Sequence, residues 1–182
     1  MPTFVRFTCE SVAPVTERLP LPGSLSIGRQ CFACGPDNAV GLHVPYEKVG
    51  DTVEAVFTFD KQFSGAEAFV HGGVVMTVLD EGMAWATIAL RSRFAVTTEF
   101  TSRFKRPVLI GQPHTMVVEC SPLGDDGRTL LATGRIVRAD GKVCTEAEGR
   151  YYAMTFEETA VSMGLPSLPE EMTSVFGLSE GR

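Results

Sequence analysis

The sequence lacks the features that mark most exported or membrane-inserted chains. Its N-terminal stretch, MPTFVRFTCESV, has no apolar segment of the kind found in signal peptides, so we expect no secretory leader. No stretch approaches the uninterrupted apolar length of a transmembrane helix, so we predict no membrane association. The five cysteines are an odd number and nothing indicates export, so we expect reduced thiols in a cytoplasmic protein.

Basic charge is also scarce. The chain has 16 Lys and Arg against 22 Asp and Glu, a net charge of -6, which argues against generic nucleic-acid binding. Internal repeats and low-complexity tracts are missing. The 182 residues, 44% of them hydrophobic, can bury the core of one globular domain. We divide them into an N-terminal extension (1–30), a domain with regular patterns (31–155) and a C-terminal tail (156–182).

The central region predicts about six antiparallel strands. Residues 52–59 alternate between apolar and polar side chains, and residues 42–47 can pair with them as a hairpin. Further strands are predicted at 94–104, 113–121, 129–138 and 143–154. Asp140-Gly141 separates the last two and is a strong signal for a tight hairpin turn. Short loops imply antiparallel neighbours, so with the helix described next the predicted class is α+β.

Residues 73–91 predict one long amphipathic helix. At about 100° per residue, the apolar side chains form one broad stripe. Thr77, Asp80, Thr87 and Arg91 fall on the opposite side, with Glu81 at the boundary. The helix would be about 30 Å long, enough to lie across the whole sheet. Asp80 has two interpretations: a solvated carboxylate, as most acids are, or a functional group in a narrow polar stripe.

His71, Gly72 and Gly73 precede this helix directly. Glycine costs about 1 kcal/mol relative to alanine inside a helix, so two glycines here favour a close backbone approach by another group. The first turn of a helix has unpaired N–H groups and the positive end of the helix dipole. This turn is therefore either an ordinary loop-to-helix connection or a site for a carbonyl oxygen that becomes an oxyanion.

The stretch FVHGGVVMTVLDEGMAWA, followed by a strand ending in RFKRPV, resembles the hotdog-fold acyl-CoA thioesterases, especially the PaaI-like (phenylacetate-type) branch. The upstream CFACGPDNAVGLHV is similar to a flank found in many members of that branch. The resemblance covers about residues 31–155. It implies a hotdog fold with a long helix wrapped by an antiparallel sheet, an acyl-CoA substrate, no cofactor, and homodimers or dimers of dimers.

The resemblance also implies roles for individual residues. Asp80 matches the catalytic carboxylate, and Gly72 matches the residue whose backbone N–H polarises the thioester carbonyl. His71 matches the residue that shapes this turn, and Thr97 matches a hydroxyl that orients the attacking water or nucleophile. Glu81 is a secondary candidate for the acid, because some branches use Glu.

Two further groups of residues are weaker candidates. Relatives often have Asn six residues before the histidine, where this chain has Gly65, so the water-holding arrangement differs here. Gly73 is a secondary candidate beside the oxyanion position. Arg103, Lys105 and Arg106 are candidates for binding the phosphates of coenzyme A, with a solvated set of charges as the alternative.

The cysteine pair Cys31 and Cys34 raises the question of a metal. His43 would be a third ligand and Cys9 the nearest fourth candidate, but a second CxxC is missing, so we expect no metal. A redox CxxC usually adjoins a βαβ unit, and none is predicted. We therefore expect packed or loop thiols.

The predicted chemistry needs no metal, because a thioester is already activated. A carboxylate acts either as a general base toward water or as a nucleophile that forms an anhydride. Two alternatives remain. A hotdog dehydratase would use a histidine base, for which His71 is a candidate, and a non-catalytic acyl-CoA-binding regulator would tolerate the loss of Asp80.

The spacing of Gly72 and Asp80 predicts how the site is assembled. Eight residues on one helix span about 12 Å. Reacting groups must approach within about 3–3.5 Å, so one carbonyl cannot contact both residues of the same chain. A two-fold dimer would bring Gly72 of one chain near Asp80 of the other. We therefore predict active sites shared between subunits.

Overall fold

The computed structural model of the chain describes residues 16–18 and 28–175. Its central helix is α1 (Gly72–Arg91), and its strands are β1 Thr16–Arg18, β2 Glu47–Val49, β3 Thr52–Phe57, β4 Ser64–Ala66, β5 Phe69–Val70, β6 Ala95–Phe104, β7 His114–Pro122, β8 Thr129–Arg138 and β9 Val143–Ala153. Helix α1 lies against a seven-stranded antiparallel sheet with the order β1-β2-β3-β7-β8-β9-β6. Strands β4 and β5 form a separate two-stranded sheet.

The core forms where the apolar stripe of α1 packs on the sheet. Val78, Leu79 and Met83 are fully buried in one hydrophobic cluster with side chains of β7 and β8, including Met116. A Cβ added at Gly82 would lie 2.4 Å from Sδ of Met116, so this glycine allows the helix to approach the sheet closely. The predicted α+β arrangement of one long helix on an antiparallel sheet is present.

The C-terminal end of α1 differs from the helical-wheel prediction at one residue. Thr87, assigned to the polar side, is fully buried. Its hydroxyl lies 2.8 Å from the carbonyl oxygen of Ala84 and 3.0 Å from that of Arg93. The chain turns at Ser92, which has a positive φ of 52°, and these backbone acceptors satisfy the buried hydroxyl.

The first predicted hairpin was displaced. Strand β2 begins at Glu47, and the preceding segment does not pair with β3. Leu42 and Val44 instead donate their N–H groups to the carbonyl oxygens of Phe32 and Ala33, at 2.8 and 3.0 Å. The N–H groups that a strand at 42–47 would have used to pair with β3 therefore bind the upstream loop instead.

The two flanking regions contribute regular structure that the sequence did not predict. From the region 1–30, β1 pairs with β2 at the edge of the sheet. The tail forms α2 (Phe156–Ser162) and α3 (Glu170–Val175). Thr155 and Glu158 form a reciprocal capping box at the start of α2. The T-x-x-E spacing of residues 155–158 is a local sequence signal for a helix start.

By length and composition, α1 is apolar enough to cross a membrane, contrary to the expectation that no segment would be. Eight of its 20 residues are nevertheless buried inside the protein. Such a helix is typical of a protein core as well as of a membrane span. The absence of membrane association stays a prediction.

Strand β6 ends the sheet. Its ten residues pair with β9 on one side only, within the described ranges 16–18 and 28–175. Its exposed side chains include Val96 and Phe104, which are 43% and 53% exposed. A long edge strand with exposed apolar side chains is a template for pairing with another chain.

Candidate active site

The turn before α1 is built around the ring of His71. Positions for a Cβ at Gly65 and at Gly73 lie 3.0 Å from Cα of His71 and 3.1 Å from its Nδ1, so larger residues at either glycine would press on this histidine. Gly65 belongs to β4, and the His71 N–H donates to the Phe63 carbonyl oxygen at 2.8 Å. Glycine at both positions therefore leaves the space that the His71 ring and backbone occupy.

His71 caps the helix. Its Nδ1 accepts the Gly73 N–H at 3.0 Å, and its carbonyl oxygen accepts the Val75 N–H at 3.1 Å. In the neutral ring the proton then lies on Nε2. The Gly72 N–H has no acceptor among the described residues, as is usual for the first residue of a helix. This N–H is available to a ligand.

A groove of about 370 Å³ opens at Gly72. Its apolar lining includes Phe69, Val75 and Phe104, and its cationic lining consists of Lys105 and Arg106. A mostly apolar concave surface with a few charges is typical of a small-molecule site.

The three basic candidates are not brought together within one chain. Lys105 forms an ion pair with Glu146 at 2.5 Å, and the Arg106 guanidinium donates to the Val143 carbonyl oxygen at 2.8 Å. Arg103 lines a separate groove of about 390 Å³, whose lining includes Glu146, Glu148 and Glu119. Lys105 and Arg106 are thus the better candidates for the Gly72 groove.

Asp80 lies half-buried in the middle of α1, where two hydroxyls reach the same carboxylate oxygen. Its Oδ1 accepts from Thr97 at 2.8 Å and from Tyr151 at 2.9 Å. No described residue donates to Oδ2. The carboxylate is therefore oriented through one oxygen, while the other is free to meet water or a substrate.

The sheet positions the two hydroxyls. Thr97 on β6 pairs directly with Tyr151 on β9, and the register of β6 shifts immediately afterwards, between Thr97 and Glu99. Tyr151 is fully buried, and burial together with the charge of Asp80 raises its pKa well above the usual range. It therefore remains a hydrogen-bond donor. The sequence predicted Thr97 but missed Tyr151.

The second acid of the helix lies in a different environment. Oε1 of Glu81 is 3.0 Å from Sγ of Cys34 and 3.4 Å from Sγ of Cys31. Burial raises the pKa of Glu81 to about 7. Within one chain Glu81 meets neither hydroxyl that holds Asp80.

The two cysteines differ in their hydrogen bonds. The thiol of Cys34 and two backbone N–H groups donate to Sγ of Cys31, which lowers the pKa of Cys31 to about 5. The same bond and burial raise the pKa of Cys34 well above its usual range. His43 is not part of this cluster, and Cys9 lies outside the described residues.

Gly72 and Asp80 are on one continuous helix. The rise of an α-helix separates them by about 12 Å. A single carbonyl in reach of the Asp80 carboxylate is therefore beyond reach of the Gly72 N–H of the same chain.

Comparison with known proteins supports this fold. Residues 67–145 match the family model described as Thioesterase superfamily. An uncharacterized protein of Schizosaccharomyces pombe is 26% identical over 108 residues, which cover 57% of this chain and 61% of that protein. A crystal structure of a thioesterase superfamily protein is 30% identical with a TM-score of 0.62, covering 68% of this chain and 60% of the other. The chain thus spans about 60% of the length of both relatives.

Two further solved structures share the fold at lower identity. The Escherichia coli PaaI protein from the phenylacetic acid degradation operon is 20% identical with a TM-score of 0.56, covering 62% of this chain and 80% of that one. A hypothetical thioesterase protein from Streptococcus pneumoniae, solved with coenzyme A, is 17% identical with a TM-score of 0.54, covering 61% and 85%. The chain has the hotdog thioesterase fold, as the sequence predicted.

Proposed function

We propose that this protein hydrolyses an acyl-coenzyme A thioester with Asp80 as the reacting carboxylate. The observation that carries this proposal is the state of the carboxylate: Oδ1 is held by Thr97 and Tyr151, and Oδ2 has no partner among the described residues. A catalytic base or nucleophile needs one fixed orientation and one accessible oxygen.

The second component is the N-terminal end of α1. Attack on the thioester carbonyl generates an oxyanion, which a preorganised N–H donor stabilises more strongly than it stabilises the ground state. The N–H of Gly72, which has no acceptor among the described residues, is such a donor. His71 fixes the turn by capping Gly73.

The groove at Gly72 supports coenzyme A as the carrier. Its apolar walls suit an acyl or pantetheine chain, and Lys105 and Arg106 line it as cations that phosphates would attract, with Glu146 as the present partner of Lys105. The Streptococcus pneumoniae relative was solved with coenzyme A. Within the superfamily we propose the PaaI-like branch, with aryl, short-chain and medium-chain acyl groups as the candidate substrates.

The site is shared between two copies of the chain in this proposal. The separation of about 12 Å along α1 prevents Gly72 and Asp80 of one chain from acting on the same carbonyl. The exposed edge of β6 carries Thr97, so a second copy paired at this edge would approach Asp80 directly. A homodimer, or a dimer of dimers, would bring the Gly72 of each chain to the partner's carboxylate.

The dehydratase alternative is disfavoured by the histidine. Such an enzyme needs an imidazole nitrogen free to accept a proton, but Nδ1 of His71 accepts from the Gly73 N–H. The remaining Nε2 carries the proton of the neutral ring and is a donor. A non-catalytic acyl-CoA-binding regulator is distinguished by the test below.

The test is Asp80→Asn, which keeps the size and removes the charge. Free-thiol release from a panel of aryl, short-chain and medium-chain acyl-CoA thioesters should fall by about 10²-fold or more, the scale of acid–base contributions, while the fold survives. The control is Asp125→Asn in an exposed loop, which should keep wild-type turnover. Full activity in Asp80→Asn, or a wild-type protein that binds but never hydrolyses the panel, would refute the proposal.

Site sharing is tested by complementation. Asp80→Ala and Gly72→Pro are made separately, shown to fold and dimerise, and co-expressed with two tags to isolate the mixed dimer. One of its two sites receives both intact residues, so the mixed dimer should recover about half of the wild-type activity. A mixed dimer as inactive as its parents would contradict sharing.

A further inference from the structure

The segment 28–44, called here the CxxC loop, is compact without forming a helix or a strand. Its backbone is closed on itself by hydrogen bonds from Gly35 to Cys31, from Asp37 to Arg29 and from Leu42 to Phe32. These bonds run from 2.8 to 3.1 Å. The loop therefore holds its two cysteines in a defined geometry.

The turn between the cysteines is tightly closed. The Gly35 N–H donates to the Cys31 carbonyl oxygen at 2.9 Å, and the Cys31 N–H donates to the Gly28 carbonyl oxygen at 3.0 Å. A Cβ at Gly35 would lie 2.4 Å from the Cys31 nitrogen and 2.5 Å from the Arg29 carbonyl oxygen, so only glycine fits after the second cysteine. The closed turn therefore holds both sulfurs beside the Glu81 carboxylate, whose Oε1 lies 3.4 Å from Sγ of Cys31 and 3.0 Å from Sγ of Cys34.

The third member of the cluster comes from the central helix. Glu81 projects from α1 to the CxxC loop, so that Sγ of Cys31, Sγ of Cys34 and a carboxylate oxygen all lie within 4.8 Å of one another. Cys34 is 1% exposed, while Cys31 and Glu81 are half-buried. We propose that these three side chains bind one zinc ion per chain, with water in the fourth position.

The spacing fits this ion. Ligand atoms of a tetrahedral zinc site lie about 3.5–3.8 Å apart, given bonds of about 2.3 Å to sulfur and about 2.0–2.2 Å to oxygen. The sulfur–oxygen distances of 3.0 and 3.4 Å need only small adjustments. Two thiolates and a carboxylate also form the donor set that selects a borderline-soft cation over magnesium or calcium.

The negative charge of the ionised cluster favours the binding of a cation. Ionised Cys31, Cys34 and Glu81 would carry three negative charges in a poorly solvated space, and a divalent cation compensates two of them. The ion would also fasten the CxxC loop to α1 one residue from Asp80. The sequence predicted no metal because only His43 and Cys9 were considered as ligands beside the two cysteines. In the structure Glu81 is the third protein ligand, and neither His43 nor Cys9 is needed.

The first measurement uses the wild-type chain, purified reduced and stripped with a chelator. Titration with Zn²⁺ should give one ion per chain by elemental analysis. Titration with Co²⁺ should produce thiolate-to-cobalt charge-transfer absorption in the near ultraviolet, together with the visible bands of a tetrahedral ion. Neither readout depends on thioester hydrolysis, so failure here is distinct from failure of the proposed enzyme activity.

The variants assign the ligands. Cys31→Ser and Cys34→Ser should abolish the charge-transfer band or weaken Zn²⁺ binding by at least about 100-fold, and Glu81→Gln should weaken binding by at least about 10-fold. Cys144→Ser is the matched control, because this cysteine is equally buried but outside the cluster. It should bind zinc as the wild type does.

Three results would overturn the proposal. The first is a reduced wild-type chain that binds neither Zn²⁺ nor Co²⁺. The second is zinc binding of unchanged affinity by folded Cys31→Ser. The third is a Cys31–Cys34 disulfide in a chain that, once reduced, still binds neither ion, which would make the pair a redox pair. The first and third results are measured on the wild-type chain, so the proposal can be refuted even if a variant fails to fold.

Discussion

Removing the hydroxyl of Tyr151 is expected to slow turnover without weakening substrate binding. Tyr151→Phe deletes the 2.9 Å bond to Oδ1 of Asp80 and leaves the buried ring in place. A hydrogen bond to a charged group contributes about 1.5–3 kcal/mol. Because Thr97 still holds the same oxygen, we expect the lower end of this range, about a 10-fold fall in kcat with KM nearly unchanged.

The double variant Thr97→Val/Tyr151→Phe is a stricter test of whether the two hydroxyls orient Asp80. Each hydroxyl alone can keep the carboxylate oriented, since both bind Oδ1. Losing both should therefore lower kcat by more than the product of the two single effects. Coupling of about 1 kcal/mol is typical of residues that share a partner, which corresponds to about fivefold.

The assay is steady-state free-thiol release from acyl-CoA, with a melting curve for each variant. Tyr152→Phe is the matched control: it is the next residue on β9, and its ring lies 4.5 Å from the Arg128 guanidinium. Thr98→Val is the control on β6, since that hydroxyl donates to the Arg150 carbonyl oxygen. A folded double variant with wild-type kcat, or one changed only in KM, would refute the orienting role of the hydroxyls.

Two further predictions concern the frame around this site. Gly149→Ala would place a Cβ 2.7 Å from the ring of Tyr151, so we expect a loss of about 1–3 kcal/mol in urea denaturation and a lower kcat; unchanged stability would contradict this packing. Burial lowers the pKa of His114, whose Nδ1 is 2.9 Å from the Gln112 carbonyl oxygen, so the native state favours the neutral ring. The neutral ring should therefore contribute its full stabilisation of the native state above about pH 6.5, and this stabilisation should be lost as the pH falls through the lowered pKa of the native state. Urea denaturation at several pH values and an NMR titration of the histidine check this. A pKa of His114 at or above about 6.5 by NMR would contradict it.

The parts of the fold that could be predicted from the sequence depend on local patterns. The 3.6-residue period of α1 and the alternation in β6 are properties of contiguous residues. The displaced hairpin depended on a distant partner, because Leu42 and Val44 bind the loop around Phe32 and Ala33. Their apolar alternation is the same in either arrangement, so the pattern could not distinguish them.

In the candidate site, too, residues of a contiguous motif could be predicted, whereas contacts between residues distant in sequence could not. Asp80, Gly72 and His71 were predicted from a contiguous motif and a family resemblance, and their roles stay predictions. Tyr151 meets Asp80 across 71 residues of sequence, through the register of β9 against β6. Glu81 meets Cys31 across 50 residues, through the docking of a loop that has no periodic pattern. Such contacts depend on tertiary packing, and one sequence carries no local signal for them.

The two adjacent acids of α1 can serve different purposes because of helix geometry. Successive residues differ by about 100° around the axis, so Asp80 and Glu81 cannot face the same partner. Asp80 meets the hydroxyls of Thr97 and Tyr151 on the sheet, and Glu81 meets the two sulfurs of the CxxC loop. A displacement of the loop would act on Glu81 and, through one shared peptide unit, on the backbone that orients Asp80. Binding of a metal by the loop would then fix the backbone beside the reacting carboxylate without supplying a group to the reaction itself.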